Sequence, residues 1–122
     1  MRMIHREEFL EKVCSRDEVR IVDVLPRDHY LNEHIKGAIC LPLDELEKRA
    51  SMLLGRDDTI IVYCGGFSCL ASTKAAEKLT AMGFRHVFDY KGGLEDAKKG
   101  DLPLEGQLHR GKTREFPCPA RA

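Results

Sequence analysis

Neither sign of charge prevails in this chain of 122 residues: 20 Lys and Arg balance 20 Asp and Glu, for a formal net charge of zero. No field of the whole molecule draws it to nucleic acid or to an anionic membrane, and neither is expected as a partner. Long hydrophobic runs are missing too. The opening residues, Met1-Arg2-Met3-Ile4-His5-Arg6-Glu7-Glu8, hold no apolar centre of an export signal, and no stretch approaches a membrane-spanning length, so the sequence reads as cytoplasmic. Internal repeats and low-complexity tracts are also lacking. Cysteine is present, but without the pattern of a disulfide framework: Cys14, Cys40, Cys64, Cys69 and Cys118 are odd in number and scattered. Each needs its own explanation. Cys14, toward the end of an amphipathic helix, and Cys40, in the apolar run 38–41, read as buried filler.

What is present suits one packed domain, with 43% hydrophobic residues for a core and 33% charged residues to solvate it. Residues 3–5 read as a short edge strand, and 6–13 as a helix with Phe9, Leu10 and Val13 on one face. A strand over 19–24 is stopped by Pro26, a short polar helix or turn covers 27–33, and Pro42 closes a small strand over 38–41. Asp44 is placed to cap a helix over 45–54. A β-branched run follows at 59–63, then a helical pattern at Ala71, Ala75, Ala76 and Leu79, a strand at 87–90 and a brief helix at 94–98. Such alternation predicts an α/β domain with a mostly parallel central sheet flanked by helices on both faces, binding ligands beyond the carboxyl ends of its strands. We expect that domain over residues 1–106. Residues 107–122 carry Arg110, Lys112, Arg114 and Arg121 with Pro117 and Pro119 and little apolar content, and read as a basic, flexible tail.

The chain is organised around residues 59–79, where a buried strand turns abruptly into a helix through Cys64-Gly65-Gly66-Phe67-Ser68-Cys69. Loop amides and the partial positive charge of a helix N-terminus converge on such a bend, so a thiol at its mouth should ionise readily while staying accessible. Cys64 is therefore the candidate nucleophile. Cys69 closes the same loop and has two readings, a resolving thiol or a small packing residue; a Cys64–Cys69 disulfide requires Cα atoms within about 7 Å. The spacing of this pair is longer than that of a usual zinc pair and no matching His/Cys pair follows, so no metal is expected. Asp23, at the end of its strand, reads as a buried carboxylate holding loop amides, and His34 as a hydrogen-bonding structural residue.

Three segments together resemble a single-domain rhodanese, a sulfurtransferase-like fold, up to about Gly106. They are Val22-Asp23-Val24 with His34-Ile35-Lys36-Gly37-Ala38-Ile39, then Val62-Tyr63-Cys64 with its loop to Cys69, and Gly83-Phe84 through Tyr90-Lys91-Gly92-Gly93-Leu94. The resemblance implies a persulfide cycle without a cofactor: Cys64 takes a sulfane sulfur from a small donor or a protein persulfide and passes it to a thiol or other nucleophile. Gly65, Gly66, Phe67, Ser68 and Cys69 would surround the anionic sulfur, their amides stabilising it. Departures from the family pattern stand beside the matches. Leu25 replaces an arginine after Asp23-Val24, Cys69 an arginine common at the sixth loop position, and Ala97 a tryptophan beyond the Gly-Gly turn. With no cation of its own, the loop is expected to handle thiosulfate weakly, a persulfide being the better substrate. The rival from another class is a noncatalytic module that binds a protein or senses redox state. A cysteine phosphatase would need a longer loop and an arginine where Leu70 stands. The oligomeric state stays open.

Overall fold

The computed structural model describes residues 1–15, 17–111 and 114–118. In chain order its elements are β1 (Arg2–Ile4), α1 (Arg6–Val13), β2 (Val19–Asp23), α2 (Arg27–Asn32), β3 (His34–Ile35) and β4 (Ile39–Cys40). They continue as α3 (Leu46–Leu53), β5 (Thr59–Tyr63), α4 (Ala71–Ala81), β6 (His86–Tyr90), α5 (Gly93–Lys99) and β7 (Leu104–Glu105). Five of the strands form a parallel sheet in the order β1-β6-β5-β2-β4, while β3 and β7 make a small antiparallel pair.

β5 lies at the middle of the sheet, and its period of two divides the core. Ile60, Val62 and Cys64 join Leu46, Ala50, Ala75, Ala76 and Leu79 of α3 and α4 on one face. Ile61 and Tyr63 join Phe9 of α1 and Leu94 and Ala97 of α5 on the other. A strand buried on both faces has no polar side to present, which is why its sequence runs through Ile-Ile-Val without alternation. Gly83, at φ +98°, ends α4 and lets the Phe84 amide return to the Leu79 carbonyl at 3.1 Å, turning the chain into β6. The mostly parallel sheet with helices on both faces is the expected α/β architecture.

Three details differ from the sequence reading. Asp44 does not cap α3; it lies in a 3-10 turn, Leu43–Glu45, that opens after Pro42 and feeds directly into the helix, with no side-chain cap. Cys14 is not filler and is not unpaired: it forms a disulfide with Cys118, with Cα atoms 5.6 Å apart. Phe116 packs edge-on against Phe9 of α1 with ring centroids at 6.1 Å, and this contact brings the two sulfurs together across 104 residues of sequence. The five cysteines, read as lacking a disulfide framework, thus include one bonded pair. Cys40, on edge strand β4, is only partly buried.

The tail, expected to be flexible, is held at Arg114 to Asp101 by a bond of 3.0 Å and at Glu115 to Lys36 at 3.1 Å, besides the disulfide. Lys112, Pro119 and Arg121, part of the expected basic tail, lie outside the described residues. Among the described residues no helix is long and apolar enough to cross a membrane.

Candidate active site

β2 and β5 end level, with Asp23 opposite Tyr63 in the register, so the chain leaves both strands at the same edge. Asp23 is fully buried there. Its carboxylate accepts the Leu25 amide at 2.9 Å and the Tyr63 hydroxyl at 2.7 Å, and that hydroxyl in turn accepts the Ile35 amide at 2.9 Å. Burial pushes the Asp23 carboxyl upward, opposed by the bonds from Tyr63 and Leu25. This network fixes the end of β5 from which Cys64 emerges. His34 stacks on Tyr30 with centroids 3.8 Å apart and its Nδ1 lies 2.7 Å from the Tyr30 carbonyl oxygen, a bracing position in the same layer.

The loop 64–69 is closed from two sides. Within it, the Cys69 amide donates to the Gly66 carbonyl at 3.0 Å. From outside, the first amides of α5 reach across, Leu94 to the Cys64 carbonyl at 2.9 Å and Glu95 to the Gly65 carbonyl at 2.9 Å. The approach is possible because residue 93 has no side chain: at φ +59°, a Cβ there would lie 2.3 Å from the Cys64 carbonyl oxygen and 3.1 Å from the Gly66 nitrogen. Gly66 is buried against the Glu95 side chain, whereas Phe67 and Ser68 stand exposed at the tip.

The two loop thiols are both free and their environments differ. Cys64 has no exposed surface. Its sulfur receives the Ser72 amide at 3.4 Å, one residue inside the N-terminus of α4, and its thiol faces the Cys69 carbonyl at 3.6 Å. Cys69 is partly exposed. Burial pushes the Cys64 thiol up, and its bond to Cys69 adds to that, while the Ser72 side chain and amide pull the other way. Burial also raises Cys69, but the Cys64 thiol, the amides of Ala71 and Gly65 and the nearby Lys91 ammonium outweigh it and bring Cys69 below an ordinary thiol.

The ready ionisation expected of Cys64 is thereby opposed. Strand and helix converge on Cys64 as the sequence predicts, but the tight fit that gives it a dipole also removes its water, and of the amides expected around its sulfur that of Gly65 acts on Cys69.

The structure adds residues that the loop sequence does not reveal. Lys91, in the turn between β6 and α5, donates its ammonium to the Cys69 carbonyl, so the site has a cation after all, from another part of the chain. Its position inside Tyr90-Lys91-Gly92-Gly93-Leu94 was the available signal. Ser72 is buried with its hydroxyl lacking a partner of good geometry, and only the helical spacing marked it as inward-facing.

Beside Cys69 opens a groove of about 670 Å³, lined by Leu25, Pro26, Leu43, Ala71 and Cys69 with Arg27, Glu45 and Lys78 at its polar edge. It lies beyond the carboxyl ends of the parallel strands, where ligands of open α/β sheets bind. A loop of two free thiols beside an apolar groove is suited to covalent chemistry at sulfur.

The family described as Rhodanese-like domain matches residues 6–99. The chain is 40% identical over 76 residues to the thiosulfate sulfurtransferase PspE of Escherichia coli (strain K12), covering 62% of this chain and 70% of that protein. It is 34% identical over 93 residues to the putative sulfur carrier protein YrkF of Bacillus subtilis (strain 168), covering 76% of this chain but only 49% of that protein. The solution structure of the rhodanese-like domain from the Anabaena sp. Alr3790 protein superimposes with a TM-score of 0.80 at 27% identity, over 98% of this chain and 92% of that one. On its sheet, its closed cysteine loop and these likenesses, the chain belongs to the rhodanese-like domain family.

Proposed function

We propose that the protein is a sulfurtransferase that carries sulfane sulfur as a persulfide on Cys64 and delivers it to a thiol or another nucleophilic acceptor. The observation that carries this reading is the Cys64 sulfur under the Ser72 amide at 3.4 Å, at the mouth of α4, in a loop whose backbone is locked by α5. A sulfur anion there gains a donor and the helix dipole without a reorganisation step. Relatives named for thiosulfate sulfur transfer and sulfur carriage support it.

In the forward half-reaction the terminal sulfur of a donor persulfide or of thiosulfate passes to Cys64. A Cys64 sulfur–sulfur bond forms while the donor's own breaks, and the electron pair leaves with the donor thiolate or sulfite. In the second half an acceptor thiolate takes the outer sulfur and Cys64 leaves as thiolate, so no cofactor is required. Cys69 supplies a resolving route: its thiolate attacks the inner sulfur of the Cys64 persulfide, releases hydrosulfide, and leaves a disulfide that two cellular thiols reduce.

The test is mass spectrometry of the intact protein and its peptides after exposure to glutathione persulfide or thiosulfate. A gain of one sulfur on Cys64, lost in Cys64→Ser with the fold intact by circular dichroism, is the expected result. Full turnover in Cys64→Ser would refute the assignment. A noncatalytic redox-sensing module is the second reading, and the complete burial of Cys64 favours it. That reading predicts no persulfide on the protein at all.

A further inference from the structure

The burial of Cys64 raises a question of access, because a nucleophile with no exposed surface cannot itself meet a donor in solution. We infer that sulfur enters through Cys69: an organic persulfide in the groove gives its sulfane sulfur to the Cys69 thiolate, which hands it inward to Cys64. This rests on the persulfide reading of Cys64 and assigns the position opposite it the part of entry nucleophile.

Three features carry the assignment. Cys69 lines the groove and is partly exposed, whereas Cys64 is absent from the groove wall and has 0% of its surface accessible. Lys91 reaches the Cys69 carbonyl, and although burial opposes it, the Cys64 thiol, the Ala71 and Gly65 amides and Lys91 make the Cys69 thiol more acidic than an ordinary one. The Cys64 thiol lies 3.6 Å from the Cys69 carbonyl oxygen and also hydrogen-bonds the Cys69 side chain, which places acceptor and donor of the second step side by side.

The groove also indicates the class of donor. Its cations are already engaged, Arg27 with Glu45 at 2.6 Å and Lys78 with Glu47 at 3.0 Å, and Lys91 outside it is engaged with the Cys69 carbonyl. A sulfonate dianion would find apolar walls and the Glu45 carboxylate, whereas the organic body of a persulfide can lie along Leu25, Pro26 and Leu43.

The steps balance without an external oxidant. Cys69 thiolate attacks the outer sulfur of R–S–SH, giving Cys69–S–SH and the thiolate R–S⁻. That thiolate takes a proton from water and departs as R–SH. The Cys64 sulfur then attacks the outer sulfur of Cys69–S–SH while its proton passes to the departing Cys69 sulfur, forming Cys64–S–SH; the Cys69 thiol returns that proton to water and is a thiolate again.

Rapid-quench labelling with glutathione persulfide, followed by alkylation and peptide mapping, tests this in the wild type, Cys64→Ser and Cys69→Ser. We expect a Cys69 persulfide that rises and decays ahead of the Cys64 persulfide in the wild type. In Cys64→Ser it should accumulate on Cys69 at the wild-type rate, and in Cys69→Ser loading of Cys64 should fall at least tenfold. Thiosulfate at equal concentration should load more slowly by a similar factor. Wild-type loading of Cys64 in Cys69→Ser overturns the entry role, and so does a Cys64→Ser protein that never labels at Cys69. The wild-type time course keeps the test valid should either variant misfold, since a Cys64 persulfide with no preceding Cys69 species refutes the relay. Thiosulfate loading as fast as the organic persulfide overturns the donor class. A wild-type protein that labels at neither cysteine overturns the sulfurtransferase reading itself, and the relay with it.

Discussion

At the sixth position of the loop a thiol stands where a cation is common in the family, and its charge state follows from its neighbours. Burial opposes ionisation of both cysteines, but Cys69 has two amides, a thiol donor and Lys91 to offset it, while Cys64 keeps mainly Ser72. Iodoacetamide should therefore modify Cys69 with a midpoint below the ordinary thiol value of about 8.5 and Cys64 with one above it. Lys91→Met should move the Cys69 midpoint upward. Alkylation of Cys64 first, at the lower pH, would contradict the assignment of the proton. The linkage to stability has a definite sign. Cys69, depressed in the fold, adds stability above its unfolded pKa and loses it as pH falls through the folded one; Cys64, raised, adds stability below its unfolded pKa and loses it as pH rises through the folded one. A second residue to test is Asp23, whose removal leaves the Leu25 amide and the Tyr63 hydroxyl without their acceptor. Asp23→Ala should cost about 3 kcal/mol in urea unfolding, and a cost under about 1 kcal/mol would show that the network relaxes around the loss.

Among the elements, the junction between α5 and the loop is the most constrained. Gly93→Ala puts a methyl group 2.3 Å from the Cys64 carbonyl oxygen at a positive φ, so the α5 amides must withdraw from the loop. We expect a loss of about 1–3 kcal/mol in stability, together with slower persulfide loading than in a surface glycine control, Gly111→Ala. Equal loading rates would mean that the lock is not needed for chemistry.

This junction also marks the limit of what the sequence reveals. β5 and α4 were legible because a doubly buried strand needs an unbroken β-branched run and a helix packed on one side repeats its small residues at helical spacing. The mouth of the loop followed from their meeting at Cys64. The Gly92-Gly93 pair was visible in the sequence, but not that its second member lies against the Cys64 carbonyl. Lys91 was hidden for the same reason, since a contact across 22 residues of sequence leaves no periodic trace. β3 and β7, two residues each, are too short to show any period, and Asp44 lost its capping role to a 3-10 turn that begins earlier. The acidity of the cysteines was misjudged because desolvation depends on the packing above the loop, which composition does not encode.

For the molecule as a whole, the covalent bond between α1 and the last described segment dominates. Phe116 lies on Phe9, which itself stacks on Tyr90 at 4.7 Å, so the tail extends the α1 and α5 face of the core. In the chain-entropy view a closure of this span is worth about 4–5 kcal/mol, and Cys118→Ser should lower the stability by up to that amount without moving the loop chemistry. Unchanged urea midpoints with and without reductant would show that the bond does not form in solution. Closure between positions 14 and 118 also makes the polypeptide almost a ring, since the sequence separation of the two cysteines is 104 of 122 residues. Held by its two ends in optical tweezers, the oxidised chain can release only the residues before Cys14, edge strand β1 and α1 among them, and those after Cys118, leaving β2, β4, β5, β6 and the cysteine loop shielded from the load. Once reduced, the same molecule should lengthen on unfolding by about 350 Å at full extension, so a mechanical pull reads the redox state of one bond as a change in rope length.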